Sequence, residues 1–121
     1  MSWLSGVAMQ SLKKGLDATS LRQEVISNNI ANINTPGFKR SEVVFEDKLK
    51  KALNEEDVSL DNLDPKAEKN TTTIMRNDIN NVDANIEMLN LSSNQLKHSG
   101  LTQVLNNYYA NNRYVINEGR M

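Results

Sequence analysis

The chain has 121 residues, carries 14 basic and 15 acidic side chains, and has a formal net charge of −1. A chain of this length forms one domain at most, and its balanced charge argues against nucleic acid or an anionic membrane as a partner. Cysteine is absent, which excludes disulfides and thiolate metal sites. Only 38% of the residues are hydrophobic and eighteen are asparagine. The chain therefore has little material for a monomeric core, and we expect contacts with other chains.

The N-terminus does not have the form of a secretory signal peptide. No basic residue precedes its apolar part, and the polar residues Gln10 and Ser11 interrupt that part. No apolar run reaches the length of about 18 residues that a membrane span requires. We therefore predict a chain without a cleaved signal and without membrane insertion.

Side chains able to support catalysis or metal binding are sparse. His98 is the single histidine, and Ser92 and Ser93 near it are typical of surface or seam positions in a helix. The middle of the chain is rich in Asp and Asn. Counted from Asp78 or Asp83, however, it lacks the Gly and the Glu that an EF-hand loop places at its sixth and twelfth positions. We predict no cofactor, no metal and no enzymatic activity.

Residues 1–34 are predicted to form a helix that packs along another helix, because residues recur at spacings of three and four. This seam consists of Leu12, Leu16, Thr19, Gln23, Ile26, Ile30 and Ile33. Leu21 and Val25 form a second, adjacent apolar strip, so the helix can bury two flanks. The polar seam residues Thr19 and Gln23 have two explanations. Either they tolerate a partly wet interface, or they fix the register and the choice of partner.

The four residues Thr35, Pro36, Gly37 and Phe38 predict a type II turn that ends this helix near Asn34. Proline presets a φ of about −65° at the second position of such a turn, and glycine tolerates the positive φ of the third. Proline also disfavours the helical conformation of the residue before it. The chain is therefore expected to change direction here.

The middle segment is predicted to contain one short helix and a long loop. Phe45, Leu49 and Leu53 recur every four residues among charged residues, which indicates an amphipathic helix. Residues 54–81 are predicted to form a loop, with a short strand at 71–75 as an alternative within it.

A second long helix is predicted over residues 82–118. Asp83 is suited to be its N-cap, and Glu87 lies where an acidic side chain interacts favourably with the helix dipole. A step of five residues near Gly100 separates two predicted seams, which are Ile86, Leu89, Ser93 and Leu96, and then Leu101, Leu105, Tyr108, Asn112 and Val115. One antiparallel neighbour does not cover this much apolar surface, so this helix is also expected to contact further chains.

Two stretches of the chain resemble a known family. Residues 27–40 read Ser-Asn-Asn-Ile-Ala-Asn-Ile-Asn-Thr-Pro-Gly-Phe-Lys-Arg and are similar to the signature near the N-terminus of the bacterial flagellar rod and hook proteins. Residues 102–107 and 113–120 resemble the ending of the proximal-rod subunits. Distal-rod and hook proteins carry much larger insertions between their terminal helices, so the short connection in this chain indicates the proximal rod.

The seams and the resemblance together predict an all-α fold. Two long terminal helices would pack as a coiled-coil hairpin, with an irregular and mostly extended middle segment. The resemblance implies a structural subunit of the flagellar basal-body rod, located in the cell envelope, that transmits torque from motor to hook. The implied partners are copies of the chain, other rod and basal-body proteins, and the flagellar type III export apparatus. Another axial rod subunit, or a helical protein-binding module unrelated to flagella, is the alternative.

Three sets of site residues follow. The family turn motif corresponds to Asn28, Asn29, Ile30, Ala31, Asn32, Thr35, Pro36, Gly37 and Phe38. The helix-packing interface is predicted to consist of Leu12, Leu16, Ile26, Ile30, Ile33, Ile86, Leu89, Leu96, Leu101, Leu105, Tyr108 and Val115. Phe45 and Leu49 have the spacing of the export-gate element of early flagellar export substrates, although any apolar i, i+4 pair that begins with Phe has the same spacing.

Overall fold

The computed structural model describes residues 4–55, 60–69 and 82–119. The described chain is mostly helical. Its helices are a short π-helical segment, Leu4–Ala8, followed directly by α1, Met9–Ala31, then α2, Glu46–Leu53, and α3, Ala84–Gly119. Two strands, β1 at Ser41–Val44 and β2 at Lys66–Lys69, pair antiparallel. The two long helices and the short amphipathic helix lie where the sequence predicts them, but the sheet corrects the all-α prediction. The alternative strand at 71–75 lies outside the described residues.

Helices α1 and α3 pack side by side in opposite directions. Asn29 near the end of α1 contacts Glu87 near the start of α3. Closer to the other end of α1, a Cβ atom placed on Gly15 would lie 3.3 Å from Cδ1 of Leu101. Fourteen residues separate the two contacts on each helix, so α1 and α3 keep a single register between them.

One continuous series of residues forms the face of α3 that packs on α1. This series alternates spacings of four and three and consists of Glu87, Leu91, Asn94, His98, Leu101, Leu105 and Tyr108. The residues on either side of it are mostly exposed. The predicted step of five near Gly100 is therefore wrong. It arose because the prediction followed apolar residues, whereas the first half of the actual seam is largely polar.

The second apolar strip predicted on α1 packs against the middle segment. Ala18 and Val25 of α1 belong to a buried cluster with Val43, Phe45, Leu60 and Leu63, and Leu21 packs against that cluster. Residues 60–69 lie within the predicted loop, yet they supply both core side chains and strand β2. The monomer has a small core of its own, although its composition suggested that other chains would provide most of the burial.

The sheet is attached to α1 by side chains. Ser41 of β1 lies opposite Lys69 of β2. The backbone N–H and carbonyl of Ser41 face α1, on the side of β1 away from β2. The Asn29 side-chain amide donates to the Ser41 carbonyl at 2.8 Å and accepts from the Ser41 N–H at 2.9 Å. Arg22 donates to the Val43 carbonyl at 3.3 Å. Side chains of α1 thus occupy the hydrogen-bonding positions that a third strand would use.

Candidate assembly surfaces

The predicted turn forms an exposed corner between α1 and β1. The Phe38 N–H donates to the Thr35 carbonyl at 3.2 Å, and Gly37 has a φ of 75°, the left-handed conformation required at the third position of a type II turn. Residues 34–37 are exposed, and a Cβ atom on Gly37 would have no atom within 4 Å. The prediction of a type II turn is confirmed. The outer surface of this corner is exposed to solvent.

Two asparagines of the turn motif close the end of α1. The Asn32 side chain donates to the Asn28 carbonyl at 2.8 Å, and the Thr35 hydroxyl donates to the Asn32 side chain at 3.2 Å. The Asn28 carbonyl also accepts from the Asn32 N–H at 3.2 Å, so the Asn32 side chain adds a second bond to the last turn of α1. Ile30 is half-buried and Ala31 is exposed.

Asn29 is the fully buried residue of the motif, and it connects the corner to α3. Its side chain donates to Oε2 of Glu87 at 3.3 Å, and Nε of Arg40 donates to Oε1 of the same carboxylate at 2.6 Å. Neither Asn29 nor Glu87 exposes any surface. A buried carboxylate is tolerated only when it is paired, so the fold requires these two contacts. They join α1, the segment leading into β1, and α3 at one point.

Two carboxylates lie close to the positive charge of Arg40. Its guanidinium also lies 3.3 Å from Glu42. Burial would lower the pKa of Arg40, but the hydrogen bonds and charges of Glu87 and Glu42 outweigh burial and raise the pKa. The predicted interaction of Glu87 with the helix dipole does not account for this network. Asp83 has the predicted N-cap role, since its side chain accepts from the Asn85 N–H at 3.0 Å.

A second polar contact crosses the middle of the seam at Thr19, which is buried. The Thr19 hydroxyl donates to the Leu16 carbonyl at 2.8 Å and lies 2.7 Å from Nδ1 of His98. A hydroxyl has one proton and a carbonyl only accepts, so the proton between Thr19 and His98 belongs to Nδ1. Asn94 donates to the Thr19 backbone carbonyl at 2.9 Å. Gln23 lies beside these residues at the edge of a polar pocket.

Helix α2 is connected to both long helices through Glu46. Its carboxylate accepts a hydrogen bond from Arg22 of α1 at 2.6 Å and one from Lys97 of α3 at 3.2 Å. Burial acts to raise the pKa of Glu46. The hydrogen bonds from Arg22, from its own backbone N–H and from Lys97 outweigh burial and lower the pKa to about 2.

The outward face of α3 carries an apolar stripe that is at least half exposed. This outer stripe consists of Ile86, Leu89, Leu96 and Val104, which are all exposed. Leu96 is 77% exposed, and α3 has only four charged residues among its 36. An apolar and nearly uncharged surface of this kind is typical of an interaction site.

The structure divides the predicted helix-packing residues into two groups. The residues that pack within the chain, fully or partly buried, are Leu12, Leu16, Ile26, Ile30, Ile33, Leu101, Leu105 and Tyr108. Ile86, Leu89 and Leu96 lie on the outer stripe instead. The side chain of Val115 lies outside the described residues. Contacts of the outer stripe with other chains remain a prediction.

An apolar groove of about 560 Å³ opens where α1, α2 and α3 meet. Met9, Leu12, Leu49 and Tyr108 are among its lining residues, together with Phe45. Phe45 is buried in the core cluster and Leu49 is half-buried. The proposed export-gate pair is therefore largely covered in the folded chain.

Across residues 4–55, 60–69 and 82–119, no helix is long and apolar enough to cross a membrane. The same residues contain no group of three or more His, Asp or Glu side chains placed to hold a metal ion.

The comparisons with known proteins agree with this description. Residues 9–39, which contain α1 and the corner, match the family model described as flagella basal body rod protein. A short stretch is also similar to the longer rod protein FlgG of Buchnera aphidicola subsp. Schizaphis graminum, with 63% identity over 35 residues. This match covers 29% of this chain and 14% of that protein. The helix pair, its Pro-Gly corner and these matches define a flagellar basal-body rod protein.

Matches over most of the chain give the particular family. The flagellar basal body rod protein FlgB of Borrelia hermsii is 38% identical over 120 residues, covering 84% of this chain and 89% of the relative. FlgB of Bacillus subtilis strain 168 is 30% identical over 132 residues, covering 99% of this chain and all of the relative. The chain belongs to the FlgB family.

Proposed function

We propose that the chain is a structural subunit of the proximal flagellar rod, which assembles through its terminal helices and helps to transmit torque from motor to hook. The observation that carries this proposal is the outer stripe of α3. A monomer gains nothing from exposing Leu89 and Leu96 on a helix with so few charges, whereas a subunit packed among helices of other subunits buries them. Its partners would be copies of the chain and other rod proteins.

The test is the substitution Leu96→Glu in cells whose only copy of the gene carries it. Because Leu96 is 77% exposed, the monomer should keep its thermal unfolding temperature. A charge placed in a packed interface should prevent assembly, so we expect non-motile cells whose basal bodies lack a complete rod. Motile cells with complete rods would contradict the proposal.

The matched control is Gln95→Glu, which adds the same charge at the neighbouring exposed position on a different face of α3. This variant should assemble and support motility. If both variants fail alike, the defect comes from added charge on α3 in general and not from the outer stripe.

We also propose that Phe45 and Leu49 are read by the type III export apparatus before the subunit folds. The support is that Phe45 is buried in the folded chain, so a receptor can reach it only in an unfolded one. In a strain blocked in rod assembly, Phe45→Ala should reduce secretion. The control Leu63→Ala removes another residue of the same core and should not. If Phe45→Ala is secreted as well as Leu63→Ala, then Phe45 only packs in the core and is not read by the export apparatus.

A further inference from the structure

We propose that the polar side chains of the α1–α3 seam, and not its apolar contacts, select the register in which the two helices pair. The register-determining residues are Thr19, Asn94, Arg40 and Glu87. The inference rests on the proposed function for its significance, because the register sets where the outer stripe lies relative to the corner. The test uses the isolated chain. The register inference can therefore fail while the proposed rod function stands, and the rod function can fail while the register inference stands.

The spacing of the seam allows a competing register. Residues that repeat at four and three return to the same face when a helix slides by seven residues. Sliding α3 so that its start moves toward the middle of α1 would place Glu87 beside Arg22. The same slide would place Leu91 beside Ala18. A carboxylate would again meet a guanidinium and Leu91 would again meet an apolar residue, so the centre of the seam does not by itself reject this arrangement.

The polar contacts distinguish the two registers. In the slid arrangement Arg40, whose side chain is 16% exposed, would lose the nearer of its two carboxylates, at 2.6 Å, and keep Glu42 at 3.3 Å. Asn29 would lose its contact with the same carboxylate, and Asn94 would move away from the Thr19 carbonyl. Weakening the pairing of a largely buried charge, or removing the partner of a buried amide, is unfavourable, whereas exchanging one leucine neighbour for another is not.

Two pairs of spin labels can detect a slide, since the chain has no cysteine and introduced cysteines would be labelled specifically. The pairs are Lys13→Cys with Ser92→Cys, and Glu24→Cys with Gln103→Cys, at four exposed positions. In the observed register each pair is offset along the helices by eleven residues, or about 16 Å. The slide would change these offsets to four and eighteen residues, or about 6 and 27 Å. One distance shortens while the other lengthens, which unfolding does not produce.

The variant to measure carries Thr19→Val, Arg40→Met, Glu87→Leu and Asn94→Leu. These changes leave an apolar seam of similar volume without an unpaired buried charge, so helical content should be retained. We expect a second distance population in both label pairs, shorter in the first and longer in the second. Single, unchanged distances in both pairs would overturn the inference.

Two controls separate the rival explanations. Leu105→Ala removes an apolar seam contact and should lower stability while keeping single distances. Val82, buried just before α3, is the rival anchor. If Val82→Ala produces the second population and the polar variant does not, the register is set by Val82 and the inference is wrong. If the fourfold variant does not fold, the Arg40→Met/Glu87→Leu variant decides by the same criteria.

Discussion

At Glu87 the cost of burying a charge is offset by a partner that lies far away in the sequence. The Glu87 carboxylate exposes no surface and depends on Arg40 at 2.6 Å. Glu87→Gln keeps the shape but removes the charge, so the partly buried guanidinium of Arg40 loses its closest carboxylate. We expect the free energy of unfolding to fall by about 3 kcal/mol. Urea unfolding of the monomer measures it.

The control for this prediction is Glu24→Gln, on the exposed face of α1, which should change stability by less than about 0.5 kcal/mol. An equally small effect of Glu87→Gln would show that the buried ion pair contributes nothing to the fold.

Glu46 predicts a dependence of stability on pH. Its pKa is lowered to about 2 in the folded chain, from about 4.3 in an unfolded one. A carboxylate with a lowered pKa stabilises the fold at pH values above its unfolded pKa, and this contribution is lost as the pH falls toward 2. Because Glu46 is half exposed, solvent screening keeps the effect modest.

Thermal unfolding between pH 6 and pH 2 tests this expectation. The Glu46→Gln variant should be less stable than the wild type at pH 6 and should approach it at low pH. Asp47→Asn, at the adjacent exposed position of α2, serves as the control and should follow the wild-type pH dependence. Parallel curves for Glu46→Gln and the wild type would exclude the role given to Glu46.

Single residues were predictable from the sequence where their role is local. The N-cap at Asp83 and the left-handed Gly37 depend on neighbours within a few positions, and both were predicted. The roles of Asn29 and Glu87 depend on a contact across 58 residues. No local pattern reveals such a contact until the pairing of α1 and α3 is known.

The corner between α1 and β1 gives a prediction at the scale of an element. Gly37 has a φ of 75° and free space around it, so Gly37→Val should cost about 1 to 3 kcal/mol through the backbone alone. Gly37→Asn should cost less, because asparagine tolerates this conformation better. Urea unfolding of both variants gives the comparison.

In cells, Gly37→Val should impair rod assembly more than secretion. A single monomer can absorb a changed exit direction after α1, whereas a helical assembly repeats the same displacement in every copy. Wild-type numbers of complete rods in a Gly37→Val strain would show that the corner is not fixed in the assembly.

Helix positions followed from periodicity, but the packing face of α3 did not. The pattern Glu87, Leu91, Asn94 and His98 continues into Leu101 with regular spacing, and this regularity was present in the sequence. The apolar pattern alone indicates a different face of α3, because buried polar residues are uncommon. That face is the exposed outer stripe.

At the scale of the whole molecule, protection should be uneven along α3. Its seam residues up to Tyr108 are at least partly covered or bonded to α1, whereas Tyr109, Tyr114 and Ile116 are exposed. Asparagines at 106, 107, 111 and 112 also weaken helix propensity there. Hydrogen exchange of the dilute monomer should therefore be slow within residues 87–105 and fast within 109–119. Equal protection of both ranges would contradict this.

The composition led us to expect almost no monomeric core, and the structure shows why a small one forms. Leu60 and Leu63 lie in a polar stretch without periodicity, yet both pack with Phe45 on α1. Two isolated leucines carry no signal of secondary structure, so their burial depends on tertiary contacts that the sequence alone does not indicate.

The side chains of α1 that cover strand β1 also restrict how copies of this chain can aggregate. An uncovered strand edge is a template for uncontrolled strand addition. Asn29 and Arg22 occupy that edge of β1. Strand β2 is four residues long and carries lysine at both ends, a composition that discourages edge pairing. The sheet is thus protected on both edges against strand addition of the kind that builds amyloid, whereas the exposed apolar residues Leu89 and Leu96 lie on helix α3.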